Sequence, residues 1–336
     1  MGSQFVDFNA DGHIDYVSAT FDGSPYLALG SEEGFAQPEH ILDAEGRRLL
    51  ISSFWNYEAE EHQDTGRSLP GEKENGLRCV SALAFDWDGD GDLDLLLGSY
   101  REGRLYRQMN EGTKVEPKFT GENIPVQVGG VDLELPGKMT TPKLVDWDGD
   151  GDLDLVVGTF GSDSRSGGEG GRVVLSLNMG KPGAPAFGPL QELIAPRARG
   201  AVEPTGPDLG LYPEVADMDG DGDLDLIVGA YSIWKPEGSE LSEEEFARVA
   251  VLEARIAVIR EEIDAFFERV QAETEAAAEG LDPESEEAEQ AMIEVYEGST
   301  EERRAIMGKM SEASDELKQL VPQEERSSFV WLYERI

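Results

Sequence analysis

The chain is 336 residues long, enough for a sizeable core and two structural units, and its 39 glycines suit turns and short strands better than an all-helical fold. Its formal charge is −42, with 70 acidic against 28 basic residues, a field that repels phosphate backbones and anionic lipid surfaces and so excludes nucleic-acid binding and adhesion to an anionic membrane. No apolar run approaches the roughly 20 residues that span a bilayer, and the single cysteine, Cys79, excludes an internal disulfide framework.

Met1-Gly2-Ser3 reads as a leader joined directly to a strand, with no export signal visible. An acidic segment follows at once: Asp7-Phe8-Asn9-Ala10-Asp11-Gly12-His13-Ile14-Asp15. It recurs as Asp86-Trp87-Asp88-Gly89-Asp90-Gly91-Asp92-Leu93-Asp94 and as Asp146-Trp147-Asp148-Gly149-Asp150-Gly151-Asp152-Leu153-Asp154. The fourth copy is Asp217-Met218-Asp219-Gly220-Asp221-Gly222-Asp223-Leu224-Asp225. Repeats on this scale point to an array of similar units. Residues 52–75, between the first and second copies, are polar and Gly-rich without alternating apolar positions, which predicts a long loop.

Around each later copy the pattern is constant. A short apolar stretch precedes it (80–85, 142–145, 213–216), and a Leu/Val/Ile run closed by glycine follows it, ending at Gly98, Gly158 and Gly229. These runs are too short for helices and predict strands. Third strands are expected at 104–107 and 172–177, leading into Asn110-Glu111-Gly112 and Asn178-Met179-Gly180 turns, and weaker fourth strands at 124–128 and 190–194. Four short antiparallel strands per unit of roughly 60 residues predict propeller blades.

After Pro236 the composition turns to Glu, Ala and Arg. Val249, Leu252, Ile256, Ile259, Ile263, Phe266 and Val270 form a heptad stripe, opened by a Ser242/Glu245 capping box. Asp282-Pro283 signals a second helix, and Gly298-Ser299 breaks it, with Ser299 and Glu302 expected to cap a third segment carrying Ile306, Met310, Ala313, Leu317 and Leu320. The chain returns to β at 329–333, the third strand of the fourth unit. The predicted division is therefore β-propeller blades at 4–238 plus 326–336, with an α-helical hairpin or coiled-coil domain inserted at 239–325.

Carboxylates at positions 1, 3 and 5, glycine at the sharp turn of position 6, a backbone carbonyl at position 7 and a carboxylate at position 9 make a hard-oxygen cage of the kind calcium prefers. The predicted ligands are Asp7, Asn9, Asp11, the carbonyl of His13, and Asp15 in the first loop, then Asp86, Asp88, Asp90, Asp92 and Asp94. The third loop supplies Asp146, Asp148, Asp150, Asp152 and Asp154, and the fourth Asp217, Asp219, Asp221, Asp223 and Asp225, for about four Ca²⁺ ions. Zinc is excluded by the absence of paired Cys or His, and magnesium keeps its waters rather than enter an all-protein cage. An EF-hand would need Glu at position 12, where Ser18, Leu97, Val157 and Val228 stand, and helices rather than strands on the flanks.

The motif, with its following apolar run and glycine, resembles the FG-GAP/VCBS repeats of integrin α-chain propellers and of many secreted bacterial proteins. The resemblance implies radially arranged four-stranded blades, with calcium at the turn between the first two strands. It further implies an extracellular, periplasmic or cell-surface binding module for a carbohydrate or protein ligand, here expected as a monomer without membrane insertion. The helical insert is not part of the family pattern. Phe54, Trp55 and Tyr57, and Tyr231 and Trp234, could stack on a ligand, but packing between blades or against the helices is the expected role, and Trp87 and Trp147 are expected to clamp neighbouring blades. A polysaccharide lyase or hydrolase on this scaffold is the alternative, as is assembly through the helical hairpin. No catalytic motif is visible: His13, His40 and His62 stand alone, and there is no nucleophile elbow.

Overall fold

In the computed structural model of the chain, which describes residues 2–57, 60–64, 78–101, 103–161, 168–197, 203–234, 236, 241–278, 280–281, 285–321 and 325–335, each acidic segment is the turn between two antiparallel strands. The fold is mainly β, with several antiparallel sheets and three helices. The first sheet contains Ser3–Val6, Asp15–Ala19, Pro25–Ala28 and Glu39–His40 in that order. The second contains Cys79–Phe85, Asp94–Ser99, Leu105–Gln108 and Ile124–Pro125, and the third Thr141–Val145, Asp154–Gly158, Val173–Ser176 and Gln191–Ile194. The fourth has three strands among the described residues: Leu209–Ala216, Asp225–Trp234 and Glu325–Tyr333. The last ladder pair before each acidic turn is equivalent in all four: Val6 with Asp15, Phe85 with Asp94, Val145 with Asp154, and Ala216 with Asp225.

The unbroken apolar runs are second strands covered on both faces. Leu95 and Leu97 enter a core shared with the first sheet (Phe8, Val17, Ile51), while Leu96 points the other way into a core shared with the third (Leu155, Val157, Phe187). Val156 in turn joins Leu226 and Val228 of the fourth sheet. The period-two alternation of a strand thus distributes one run between two neighbours. The glycine ending the run is required by the next sheet: a Cβ on Gly98 would sit 2.1 Å from the Thr140 carbonyl oxygen, and one on Gly158 2.0 Å from that of Leu211. Lys143 Nζ pairs with Glu214 Oε2 at 2.6 Å and donates to the Ser3 carbonyl at 3.4 Å, so the first strands of the first, third and fourth sheets meet at one side chain. Among the described residues, no buried apolar cluster joins the first sheet to the fourth.

The structure departs from the sequence-based expectations in three places. Within the stretch expected as a loop, Ser53–Asn56 and Glu61–Asp64 pair as a hairpin. Its strands alternate no apolar residues, so periodicity gave no signal. The fourth strand expected over 124–128 is split: Ile124–Pro125 pairs with the third strand, and Gln127–Val128 turns away to pair with Val131–Asp132. Finally, Ser299 makes no forward cap. It has helical dihedrals (φ −87°, ψ −7°), and its hydroxyl donates back to the Tyr296 carbonyl at 2.9 Å. A side chain caps only from an extended residue, as Ser242 does for the Glu245 N–H.

The chain divides into two compact units, Met1–Trp234 with Arg326–Ile336, and Lys235–Glu325. The second is helical: α1 (Glu243–Ala277), α2 (Glu286–Gly298) and α3 (Thr300–Leu320). The Asp282-Pro283 helix start lies outside the described residues; α2 is capped by Ser285, which accepts from the Ala288 N–H. Ile256, Ile259, Phe266 and Val270 of α1 pack against Ile306 and Ala313 of α3. Antiparallel ion pairs flank this seam: Arg248–Glu316 (2.6 Å), Glu262–Lys309 (2.8 Å) and Arg269–Glu302 (2.6 Å). No helix among the described residues is long and apolar enough to cross a membrane.

Candidate metal loops

Each loop is built by its own side chains. In the second, Asp86 accepts the Gly89 and Gly91 N–H groups at 2.8 and 3.1 Å, Asp88 accepts the Asp90 N–H at 3.3 Å, and Asp90 accepts the Asp92 N–H at 3.0 Å. The fourth repeats the scheme through Asp217, Asp219 and Asp221, and the third through Asp146 and Asp150. In the first, Asp7 accepts from Asp11 and Gly12, Asn9 Oδ1 from Asp11, and Asp11 from His13. Positions 4 and 6 are left-handed throughout, which glycine adopts freely. The exception is Ala10, held at φ +55°.

The position-9 carboxylates have a second task. Asp15, Asp94, Asp154 and Asp225 are 0–3% exposed. One oxygen of each accepts the N–H of position 2 (Phe8, Trp87, Trp147, Met218) at 2.8–2.9 Å. The other reaches across to a backbone N–H on a neighbouring segment: Gly30 at 2.7 Å, Asn110 at 2.7 Å, Asn178 at 2.7 Å and Arg335 at 3.0 Å. Each oxygen keeps a lone pair for a cation. Burial pushes the Asp94 carboxyl up to about 6 despite these two hydrogen bonds, and shifts Asp154 in the same direction. Asp92 is raised by burial first and then by Asp90, Asp88 and Asp86.

Oxygens of Asp86, Asp88 and Asp90 lie within 4.8 Å of one another, as do those of Asp146, Asp148 and Asp154 and those of Asp217, Asp219 and Asp225. These clusters could hold metal ions. Asp146 Oδ1 and Asp92 Oδ1 are buried without a hydrogen-bond partner, the condition in which a carboxylate oxygen is costly unless a cation meets it. Asp150 and Asp221 stand outside the triads, while Asp152 and Asp223 enter the hydrogen-bonding through their backbone N–H. An all-oxygen donor set with no His or Cys fits a hard cation.

The turns expected at Asn110 and Asn178 are present, but the role of their side chains and the contact they lead to escaped the sequence reading. Asn110 and Asn178 follow the third strands; each side-chain oxygen accepts two backbone N–H groups, from Gly112 and Lys118 or from Gly180 and Ala186. The loop so formed ends in a phenylalanine that packs on position 2 of the preceding sheet's acidic loop: Phe119 on Phe8 at 6.2 Å, and Phe187 on Trp87 at 5.9 Å. The shared Asn-x-Gly…Pro-x-Phe spacing was the available signal. Trp147 is covered instead by Arg335, whose guanidinium lies 5.3 Å from the ring centroid and donates to the Trp147 carbonyl.

The aromatics that could contact a ligand are mostly engaged. Arg48 lies over Phe54, Arg326 over Tyr231, and Trp234 Nε1 donates to Ser327 Oγ; Tyr57 is 69% exposed.

Residues 86–157 and 146–228 each match the family model described as FG-GAP-like repeat. Over 247 residues, 68% of this chain, the sequence is 30% identical to integrin alpha-PS2 of Drosophila melanogaster, of whose length the match covers 16%. With the acidic turn placed between paired strands in four sheets, the chain belongs to the FG-GAP-like repeat family.

Proposed function

We propose that the chain is a calcium-dependent interaction module of the β-propeller type, in which the four sheets are blades and each acidic loop holds one Ca²⁺. The ligands are those of positions 1, 3, 5 and 9 with the position-7 carbonyl: Asp7, Asn9, Asp11, His13 and Asp15, and the equivalent Asp sets beginning at Asp86, Asp146 and Asp217. The observation that carries this is the convergence of three carboxylates within 4.8 Å in each of three loops, with Asp146 Oδ1 buried and unpartnered. Three like charges at that separation repel strongly unless a cation sits between them. The junction of first strands at Lys143 supports a radial arrangement. Similarity to an integrin alpha chain favours a protein ligand over a carbohydrate, and an extracellular setting. The ion is structural: it stiffens the turns and stabilises the native state by mass action. The helical unit is a separately folding insertion.

Calorimetric titration of metal-stripped protein with calcium should show about four sites and raise the melting temperature. Absence of binding heat together with an unchanged melting curve refutes the proposal. A protein and glycan binding screen, run with and without calcium, then identifies the ligand class.

A further inference from the structure

Where successive sheets meet, the recurring Phe contact leaves a cleft beside it. The cleft between the first and second sheets, about 390 Å³, is lined by Phe8, Leu27, Ile41, Pro117 and Phe119. Its counterpart between the second and third sheets, about 360 Å³, is lined by Trp87, Arg107, Ile124, Pro125, Pro185 and Phe187. The two share a frame, Phe8 with Trp87, Pro117 with Pro185 and Phe119 with Phe187, but Glu39 and His40 stand where the second has Ile124 and Pro125, and the facing third-strand position changes as well. Leu27 pairs with Val17, Arg107 with Leu96, and Leu175 with Val156, all at the same step after an acidic loop. An arginine therefore stands where the first and third sheets have leucine.

That arginine is poorly provided for. Its guanidinium lies 4.9 Å from the Trp87 ring centroid, and its Nε is buried without a partner. Among the described residues its side chain makes no hydrogen bond or ion pair, although 70 carboxylates are available in the chain; Asp94 and Asp88 act on it only at a distance. Burial lowers its pKa, yet a guanidinium stays protonated, and no carboxylate among the described residues pairs with it. Asp132, also on the lining, is engaged with Gln127 Nε2 at 3.0 Å. We infer that this second cleft is a binding site for a single aliphatic carboxylate, which the Arg107 guanidinium receives while its hydrocarbon stem lies along Ile124, Pro125 and Pro185.

One guanidinium matches one carboxylate, and the bidentate fork suits it. A doubly charged phosphate gains nothing further here and faces more repulsion from a chain of charge −42. A sugar acid would need an open aromatic face, and Trp87 and Phe187 are only 6% and 5% exposed. The site goes beyond the metal reading and uses none of the proposed calcium ligands.

The test is a titration of the full calcium-loaded chain, followed by the Trp87 indole N–H resonance, which a Trp87→Phe variant assigns. Butyrate represents a free carboxylate and N-acetyl-glutamyl amide a peptide-borne one; glucuronate and methyl phosphate are the contrasting probes. Either carboxylate should give a saturable shift, and whichever of the two binds tighter identifies the source. Arg107→Leu restores the residue of the equivalent positions and should weaken binding roughly tenfold to a hundredfold. Arg107→Lys should retain part of it. No saturable shift with either carboxylate, equal affinity in Arg107→Leu, or preference for glucuronate or methyl phosphate overturns the assignment. Should Arg107→Leu fail to fold, Arg107→Gln is judged by the same criterion. Calcium binding is scored by a separate titration, so either reading can fail alone.

Discussion

The Phe187 ring meets the Trp87 indole edge-on, with centroids 5.9 Å apart and planes at 72°. Trp87 belongs to the acidic loop of the second sheet, and Phe187 to the Asn178 loop between the last two strands of the third. Their contact fastens one sheet to the next in a core that also holds Leu96, Leu155 and Val174. Phe187→Ala should therefore destabilise by ~3–5 kcal/mol, the range for a large buried aromatic. A double-mutant cycle with Trp87→Leu, read by urea unfolding, should leave a coupling of ~0.5–1.5 kcal/mol. Strict additivity would mean that the ring pair contributes only its area.

Ala10 is the one non-glycine at position 4 of the four acidic loops, and it holds φ +55°. An L-residue in that region carries strain of ~1 kcal/mol, so Ala10→Gly should raise stability by about that amount. Gly91→Ala, at φ +95°, should lower it. Both are read as shifts in the urea midpoint with calcium present.

His40 supplies a pH dependence. Its ring stacks on Tyr26 at 4.2 Å, its Nε2 is 3.9 Å from Asp22 Oδ2, and its Nδ1 is buried without a partner. Burial first, and Arg48 second, depress its pKa against the opposing pull of Asp22. The unfolded chain then binds the proton more readily than the folded one. Stability should be full above the ordinary histidine value near 6.5 and should decline as pH falls below it. His40→Gln should flatten that limb of the curve. An unchanged slope would place the pH sensitivity elsewhere.

The helical unit should be removable. Trp234 Nε1 donates to Ser327 Oγ at 3.1 Å, so the points where the chain leaves and re-enters the β unit are adjacent. Replacing 235–325 with a Gly/Ser linker of about six residues should leave a folded β unit with its calcium response intact. Insoluble product, or loss of the near-UV dichroism of the tryptophans, would show that the two units fold as one.

The parts legible in the sequence were those whose signal is local. The acidic loops, the glycine-closed strands, the Ser242 cap and the α1 stripe each depend on residues within a few positions of one another, and periodicity or turn chemistry exposes them. What stayed hidden depends on partners far along the chain. Asp94 reads as one more metal ligand; that it also holds Trp87 and Asn110 needs the third strand in place. Leu96 and Leu97 are equivalent as letters, and only the stacking of sheets sends them to different cores. Arg107 looks like an ordinary strand residue until register makes it the equivalent, in its own sheet, of Leu27 and Leu175 in theirs.

The placement of the helices also bears on the order of events during synthesis. The strand Glu325–Tyr333 completes the fourth sheet, but it leaves the ribosome after the whole helical unit. Until then Asp225–Trp234 has an unpaired edge, the state most open to wrong pairing. As a disordered tether, the intervening segment would impose an entropic penalty on closing that edge, growing with the logarithm of its length. Folded, it does the reverse: the Arg248–Glu316 pair brings the start of α1 beside the end of α3. The helices thus act as a clasp that shortens the search of the last strand for its place.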